Sequence, residues 1–230
     1  MDIPIVSVVI PAYNEENTIG EILFRTYTTM ETIGIPYEIL MVDDGSSDRT
    51  RFLAERHKVT VLTNGTNAGK GHALRRGFKS ATGNIIITMD ADGSHRPEEI
   101  PRLLKTLLSG ADIVTGSRFL GNLEKNSVKR LHIVGNHLFN LLILLLTRKR
   151  ITDSQTGFRV IRKKVIQEIE ITSEGYEIET ELTMKTLKNG YQVQEEPITC
   201  EKRKDGYSHL NTVRDGFKIF KNIIKARISG

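Results

Sequence analysis

An apolar run, Asn84–Asp92, ends abruptly in two acidic residues, Asp90 and Asp92. Its β-branched centre and the glycine before it predict a buried strand of a parallel sheet. In open α/β folds, ligands bind at the edge formed by the carboxyl ends of such strands. Two carboxylates this close repel each other unless a cation lies between them, so the segment predicts a site for Mg²⁺ or Mn²⁺ shared with phosphate oxygens. A solvated acidic turn is the alternative.

The first half of the chain alternates strand-like and helix-like segments. Strands are predicted at Ile5–Ile10, Tyr37–Val42, Val59–Leu62, Asn84–Met89 and Asp112–Thr115. Helices are predicted at Glu16–Ile33, Asp48–Arg56, Lys70–Ala81 and Pro97–Leu108. This alternation predicts βαβ units, and hence an α/β fold with a mostly parallel central sheet and helices on both faces. A length of 230 residues favours one domain over two.

Composition and charge restrict the class of protein. Hydrophobic residues make up 38% of the chain and charged residues 27%, as in soluble globular proteins. The single cysteine, Cys200, excludes an intrachain disulfide and favours a reducing cytosol. Basic residues become more frequent after Arg118, which favours an anionic ligand such as a phosphate or a lipid headgroup. No nucleic-acid partner is expected, because no zinc-finger spacing, basic heptad region or aromatic RNA-binding motif is found.

Two segments in the second half are candidates for membrane contact. Ile133–Leu146 is the most hydrophobic segment, but it is shorter than the about 20 apolar residues that span a bilayer. It is therefore expected to be either a buried helix or a helix at the membrane interface, and its flanking cations favour the interface slightly. In Leu210–Ile228, an apolar stripe is formed by Val213, Phe217, Phe220, Ile224 and Ile228. We expect this stripe to pack on the domain itself, with an anionic membrane surface as the alternative.

The turns after the first two strands also carry information about the ligand. The first is Pro11-Ala12-Tyr13-Asn14-Glu15, which is not the glycine-rich turn that a dehydrogenase-type dinucleotide fold requires. The second begins with Asp43 and Asp44, whose carboxylates can accept hydrogen bonds from a base or a ribose.

The loop Asn67–Gly71 is glycine-rich but is not a P-loop. Asn64 stands where a P-loop requires glycine, and Gly71 stands where it requires serine or threonine. We interpret the segment as a glycine-rich loop that opens a helix near the ligand.

The Pro-Ala-Tyr-Asn-Glu, Asp-Asp-Gly-Ser and Asp-Ala-Asp turns together resemble those of inverting family-2 glycosyltransferases of the GT-A fold. The resemblance covers nearly the whole chain. Three later motifs are similar to those of the polyprenyl-phosphate hexose synthases, the group that includes dolichyl-phosphate mannose synthase. They are Gly116-Ser117-Arg118, Asp153–Phe158, and Arg203 ahead of Gly206-Tyr207-Ser208-His209.

The resemblance implies a role for each matching residue. The nucleotide-sugar donor would be bound by Pro11, Ala12, Tyr13, Glu15, Asp43, Asp44, Lys70, Asp90, Ala91, Asp92, Arg118, Arg203 and His209. Asp90 and Asp92 would hold Mg²⁺ or Mn²⁺, and Arg118 and Arg203 would neutralise phosphates. Catalysis would depend on Asp92, Asp153, Arg118 and Arg203.

The activity implied by the resemblance is transfer of mannose or glucose from a GDP- or UDP-hexose to a polyprenyl phosphate, with inversion. Such an acceptor is already ionised and needs no strong base. A sugar hydroxyl would need one, for which Asp153 is the candidate. The alternatives are a family-2 enzyme acting on a glycan or another non-lipid hydroxyl, and a non-catalytic nucleotide-sugar-binding module.

The expected organisation is a single domain with three parts. Residues 1–117 would form the nucleotide-sugar-binding half, residues 118–210 the acceptor half, and residues 211–230 a C-terminal amphipathic helix. We expect a cytoplasmic protein, peripherally associated with the cytoplasmic face of the membrane.

Overall fold

A computed structural model describes residues 5–125, 127–204 and 212–228. Within them, the strands are β1 (Val6–Ala12), β2 (Tyr37–Asp43), β3 (Thr60–Thr63), β4 (Ile85–Thr88), β5 (Ile113–Leu123), β6 (Arg159–Arg162) and β7 (Val193–Cys200). The helices are α1 (Ile19–Ile33), α2 (Thr50–Ala54), α3 (Lys70–Ser80), α4 (Ile100–Leu108), α5 (Arg130–Thr147), α6 (Lys163–Glu168), α7 (Ile178–Lys188) and α8 (Thr212–Ile228). A 3₁₀ turn, Pro97–Glu99, precedes α4.

The strands form one sheet in the order β3-β2-β1-β4-β6-β5-β7. Strand β6 runs antiparallel to its two neighbours, and the other pairs are parallel. The predicted mostly parallel α/β fold is therefore confirmed. Strands β6 and β7 were not predicted, because β6 is only four residues long and β7 carries two consecutive glutamates in place of an apolar run.

Parallel pairing brings the carboxyl ends of three strands to one edge of the sheet. Ala12 at the end of β1 pairs with Asp43 at the end of β2, and β4 pairs with β1 from the other side. The turns that follow these strands are those that carry the predicted donor-binding residues. The fold thus collects them at the edge where α/β proteins bind ligands.

The hydrophobic core lies on both faces of the sheet. Because successive strand residues point to opposite faces, Val8 and Val9 of β1 belong to different clusters. Val8 packs in a cluster with Leu23 of α1 and Leu103 of α4, and Val9 in one with Phe78 of α3. Helices therefore cover both faces of the sheet.

Helix α5 is longer than its apolar segment and is mostly exposed. Its 18 residues are long and apolar enough to cross a membrane by length and composition, although only 17% of the helix is buried. The predicted segment, Ile133–Leu146, is shorter than the helix. Three further residues at its N-terminal end and one at its C-terminal end are also helical. Ile143 packs against the domain, whereas Val134, Leu138 and Leu145 are exposed to solvent. The buried-helix alternative is therefore wrong.

The apolar stripe expected in α8 is wrong at Phe217 and Phe220, whereas Ile224 is half-buried and the side chains of Val213 and Ile228 lie outside the described ones. Ile219 and Ile223 are the residues that pack, in a cluster with Ile143 of α5. Phe217 is 69% exposed and Phe220 is 48% exposed. The face was misassigned because α8 has apolar residues on more than one side, and only the neighbouring helices decide which of them is buried.

Candidate functional site

A cleft of about 580 Å³ lies at the carboxyl edge of β1, β2 and β4. The predicted donor-binding residues that line it are Pro11, Ala12, Tyr13, Glu15, Asp44, Lys70, Asp90, Ala91, Asp92 and Arg203. Asp43 and Arg118 do not line it. His209 lies outside the described residues.

Asp44 orders the glycine-rich loop on one side of the cleft. Its carboxylate accepts hydrogen bonds from Asn64 Nδ2 (2.7 Å), the Ala68 amide (3.1 Å) and the Gly69 amide (2.8 Å). Glycine is needed in this loop because Gly69 has φ of 101° and a Cβ there would lie 2.3 Å from the Glu174 carbonyl oxygen. Asp44 therefore shapes the wall of the cleft.

Asp43 is turned away from the cleft. Its Oδ1 accepts the Ser46 amide at 3.0 Å, and its Oδ2 accepts a hydrogen bond from Thr63 Oγ1 at 3.3 Å. These contacts hold the turn after β2. The structure therefore gives Asp43 a structural place and does not bring it to the predicted donor site.

Lys70 at the start of α3 forms ion pairs with two acidic residues. Its Nζ lies 2.5 Å from Asp90 Oδ1 and 2.6 Å from Glu179 Oε1. Burial opposes the charge of Lys70, but the two carboxylates outweigh burial and raise its pKa above the usual value. For Asp90, burial is likewise outweighed, by Lys70 and then His95, and the pKa of the carboxyl is lowered.

Asp92 faces the second cation of the cleft, Arg203. Its Oδ2 lies 2.7 Å from Arg203 Nε, and its Oδ1 accepts the Ser94 amide at 2.9 Å. Burial opposes the charge of Arg203, but Asp92 and Asp90 outweigh it and raise the pKa of the guanidinium. One cation therefore neutralises each of the paired carboxylates.

The chemistry of these donors suits a hard divalent cation. Asp90 and Asp92 offer carboxylate oxygens at one border of the cleft. No group of three or more His, Cys, Asp or Glu side chains able to hold a metal occurs within residues 5–125, 127–204 and 212–228. Mg²⁺ is commonly held by one or two carboxylates together with water and substrate phosphates, so the pair fits such an ion.

The backbone of Gly157 lies very close to the Asp90 carboxylate. A Cβ at this position would lie 2.5 Å from Asp90 Oδ1 and 2.8 Å from Oδ2. The Gly157 carbonyl also accepts a hydrogen bond from Thr88 Oγ1 at 2.7 Å, which fixes this backbone beside β4. The glycine of the Asp153–Phe158 motif is therefore needed for the position of the carboxylate.

Two further titratable groups lie close to the paired acids, Glu15 half-buried and His95 buried. Burial and then the charge of Asp92 raise the pKa of Glu15 to about 7. Burial lowers the pKa of His95, whose Nδ1 accepts the Asp90 amide at 3.2 Å. His95 was not predicted from the sequence, since no spacing links it to the other site residues.

Arg118 and Asp153 form a separate pair outside the cleft lining. Arg118 Nε lies 2.7 Å from Asp153 Oδ2, and a terminal nitrogen of the guanidinium lies 2.8 Å from Oδ1. Asn136 Nδ2 donates to the same Oδ1 at 2.7 Å. Asp153 is completely buried, and although burial raises its pKa, Arg118 outweighs burial and lowers it. These contacts argue against Asp153 as a base, because both its oxygens are already occupied.

An apolar groove of about 330 Å³ is lined in part by Phe119, whose ring centre lies 5.8 Å from the Arg118 guanidinium carbon. It runs between the end of β5 and helix α5, with Phe119, Leu120, Leu141 and Leu144 among its lining residues. The groove is therefore continuous with the exposed apolar side of α5.

Several residues that line the cleft or lie beneath it were not predicted from the sequence. Glu174, Gly175 and Tyr176 come from the loop before α7, and Arg214, Asp215 and Lys218 come from α8. Glu179 on α7 lies below Lys70. The only signal was the basic character of α8, since the loop and α7 belong to no motif that spacing reveals.

Comparisons of the sequence with known proteins identify a family. The profile of the family described as glycosyl transferase family 2 matches residues 7–170. A protein of Methanocaldococcus jannaschii without a described function is 35% identical over 96% of this chain and 91% of its own length. The polyprenol monophosphomannose synthase of Mycolicibacterium smegmatis is 34% identical over 96% of this chain and 88% of its own length.

A dolichol-phosphate mannosyltransferase of Pyrococcus furiosus is 35% identical over 89% of this chain, which spans 59% of that protein. Among solved structures, the glucosyl-3-phosphoglycerate synthase of Mycobacterium tuberculosis superimposes with a TM-score of 0.78, at 19% identity over 97% of this chain and 80% of that one. The same enzyme in complex with Mn²⁺, uridine diphosphate and phosphoglyceric acid gives a TM-score of 0.78 at 19% identity, over 98% of this chain and 79% of that one. At this identity the structural likeness shows a shared fold.

Proposed function

Because the chain belongs to glycosyl transferase family 2, we propose that it transfers mannose or glucose from a GDP- or UDP-sugar to a polyprenyl phosphate. The family membership confirms the resemblance found in the sequence and makes the chain a sugar-transferring enzyme. The lipid acceptor is supported by the names of two relatives, a dolichol-phosphate mannosyltransferase and a polyprenol monophosphomannose synthase.

The observation that carries the proposal is the arrangement of charge in the cleft. Asp90 and Asp92 border it together with Lys70 and Arg203, which suits a diphosphate and its metal ion. We assign Mg²⁺ or Mn²⁺ to the two aspartates; when bound, the ion would offset negative charge on the diphosphate leaving group. The neighbour structures with Mn²⁺ or Mg²⁺ and uridine diphosphate support this assignment.

The residues of the chain have distinct tasks in this proposal. The Pro11–Glu15 turn and Asp44 shape the nucleoside end of the cleft. Arg203 stabilises the charge that builds on the departing diphosphate, as a preorganised cation in a partly buried site. Arg118, positioned by Asp153, neutralises the acceptor phosphate beside Phe119 of the apolar groove.

A phosphate acceptor explains why no carboxylate needs to act as a base. A polyprenyl monophosphate is ionised at neutral pH and can attack the anomeric carbon directly, with departure of the nucleoside diphosphate on the opposite face. The complete burial of Asp153 is compatible with this acceptor. A hydroxyl acceptor would require a base within hydrogen-bonding distance.

We propose that the exposed apolar side of α5 lies at the membrane interface. Leu138 and Leu145 of α5 are exposed, as is Phe217 of α8. Cations flank the helix at Arg130 and at Arg148-Lys149-Arg150. An apolar face with basic ends is the pattern of an interfacial helix on an anionic bilayer.

We keep the proposed division into a donor half, residues 1–117, and an acceptor half, residues 118–210, with α8 as the C-terminal amphipathic helix. Most of the cleft lining comes from the first half. Tyr176 and Arg203 also line the cleft, so the second half completes the donor site.

The test is an assay of purified protein with a polyprenyl phosphate and a panel of nucleotide sugars, with and without EDTA. Mass spectrometry of the organic phase should detect a polyprenyl-phosphate hexose whose formation EDTA abolishes. A parallel assay with phosphoglyceric acid as acceptor tests the activity named for the structural neighbour. Donor binding without any lipid product would contradict the proposed acceptor.

A further inference from the structure

The side chain of Glu179 lies beneath the cleft and belongs to none of the roles described so far. It is only 3% exposed, on the first turn of α7. Its Oε1 lies 2.6 Å from Lys70 Nζ, and its Oε2 is buried without a hydrogen-bond partner. A buried carboxylate with an unsatisfied oxygen is costly, so Glu179 calls for an explanation.

Lys70 links Glu179 to the paired acids. Its ammonium lies within 2.6 Å of a carboxylate oxygen on each side, from Asp90 and from Glu179. The three side chains form a partly buried row of two carboxylates and one ammonium, with a net formal charge of −1. The ammonium therefore compensates the charge of a carboxylate that would hold the proposed metal ion.

We infer that Glu179 is a positioning residue that holds the Lys70 ammonium when a divalent cation binds to the Asp90 carboxylate. Lys70 then acts as the counter-ion of Asp90 in the absence of metal and faces the donor diphosphate in its presence. Glu179 supplies the remaining negative charge, so that the ammonium keeps a carboxylate partner when Asp90 binds the cation. This inference rests on the proposed metal site at Asp90 and Asp92.

Charge alone predicts the direction of each substitution. Glu179→Gln brings the row to a net charge of zero and should weaken the binding of a dication. Lys70→Met brings it to −2 and should strengthen metal binding. The double variant returns to −1 and should resemble the wild type, because the two residues are in contact and their effects are coupled.

The test is titration of the whole protein with Mn²⁺ at pH 8 without nucleotide, with the free ion followed by electron paramagnetic resonance. We expect Kd to rise about tenfold in Glu179→Gln, to fall about tenfold in Lys70→Met, and to stay within about threefold of wild type in the double variant. Lys185→Met is the matched control, since Lys185 pairs with Glu181 at 2.8 Å on the same helix but away from the cleft. Its Kd should not change.

A second measurement separates positioning from damage to the fold. In EDTA, Lys70→Met should bind GDP or UDP at least about fivefold more weakly, because a phosphate-facing cation is lost. A general structural defect would weaken the binding of both Mn²⁺ and the nucleotide. The inference requires Lys70→Met to strengthen Mn²⁺ binding and to weaken nucleotide binding. If Glu179→Gln fails to fold, the inference is tested by whether Lys70→Met lowers or raises the Kd for Mn²⁺.

The outcomes distinguish this inference from the proposed function. Unchanged Mn²⁺ affinity in Glu179→Gln, or weaker affinity in Lys70→Met, overturns the inference and leaves the metal site in place. If the wild type binds no Mn²⁺, either alone or with GDP or UDP, both the inference and the proposed metal site are overturned.

Discussion

Arg118 and Asp153 form a two-point ion pair, with contacts of 2.7 and 2.8 Å. The pair joins β5 to the loop after α5, and the next residue in the chain after Arg118, Phe119, lines the apolar groove. Each partner is therefore the main source of compensation for the other's buried charge. Asp153, which the sequence suggested as a possible base, is therefore interpreted as a residue that positions Arg118.

Asp153→Asn should lower stability and leave the pH profile of the reaction unchanged. Removing one partner of a buried pair leaves an uncompensated charge, so we expect a loss of about 2–4 kcal/mol in the free energy of unfolding. Urea unfolding and the pH dependence of kcat measure the two effects. A loss of activity of about 10³-fold or more at unchanged stability would restore the role of a base.

Asp92→Asn should abolish most of the activity and leave the fold intact. Since Asp92 faces Arg203 and borders the proposed metal site, we expect kcat to fall by about 10²-fold or more. The lipid product assay measures this loss. Asp112→Asn is the control, because Asp112 pairs with Lys164 at 3.1 Å outside the cleft lining. Near-normal turnover in Asp92→Asn would contradict the metal assignment.

Gly157→Ala should weaken metal binding specifically. Its Cβ would lie 2.5 Å from Asp90 Oδ1, so the carboxylate must move. Mn²⁺ titration should show a Kd at least about fivefold higher, because a shift of even about 1 Å at a site can cost 10²-fold. Gly135→Ala is the control, since nothing lies within 4 Å of a Cβ built there. Unchanged Mn²⁺ affinity in Gly157→Ala would show that Asp90 can move freely.

Glu15 should make the protein less stable as the pH rises. Its pKa is about 7 in the folded protein, against an ordinary value of 4.5, owing first to burial and then to Asp92. The folded state therefore binds more protons than the unfolded state between about pH 4.5 and 7. The contribution of Glu15 to stability is complete below this window and is lost as the pH rises through it.

The comparison of wild type with Glu15→Gln isolates this effect. In EDTA, thermal unfolding should show the variant gaining stability over the wild type from pH 5 to pH 8, by on the order of 2 kcal/mol. A difference between the two proteins that does not depend on pH would refute the raised pKa.

Leu138→Glu and Leu145→Glu should reduce binding to anionic vesicles. Both side chains are exposed on α5, so the changes remove apolar contact area and add repulsion from anionic lipid. Co-sedimentation with vesicles containing phosphatidylglycerol should show at least about a fivefold loss in binding. Phe24→Glu is the matched control, because Phe24 is exposed on α1. Equal losses in all three variants would contradict a membrane role for α5.

The sequence by itself determined strands β1 to β5 and the placement of the acidic turns that follow β2 and β4. Alternating apolar segments have few ways to bury themselves, and parallel strands must deliver their carboxyl ends to one edge. Asp44, Asp90 and Asp92 therefore reach the cleft through local sequence and topology alone. The same local signals gave helices α1 and α3 nearly to their ends.

Only the tertiary structure decided which polar groups meet across distant segments. The contact between Lys70 and Glu179 joins residues 109 positions apart, and that between Arg118 and Asp153 spans 35 positions. No spacing encodes such pairs, because packing of elements sets them. The exposed faces of α5 and α8 were decided in the same way, since an apolar residue is buried only where a neighbouring element covers it.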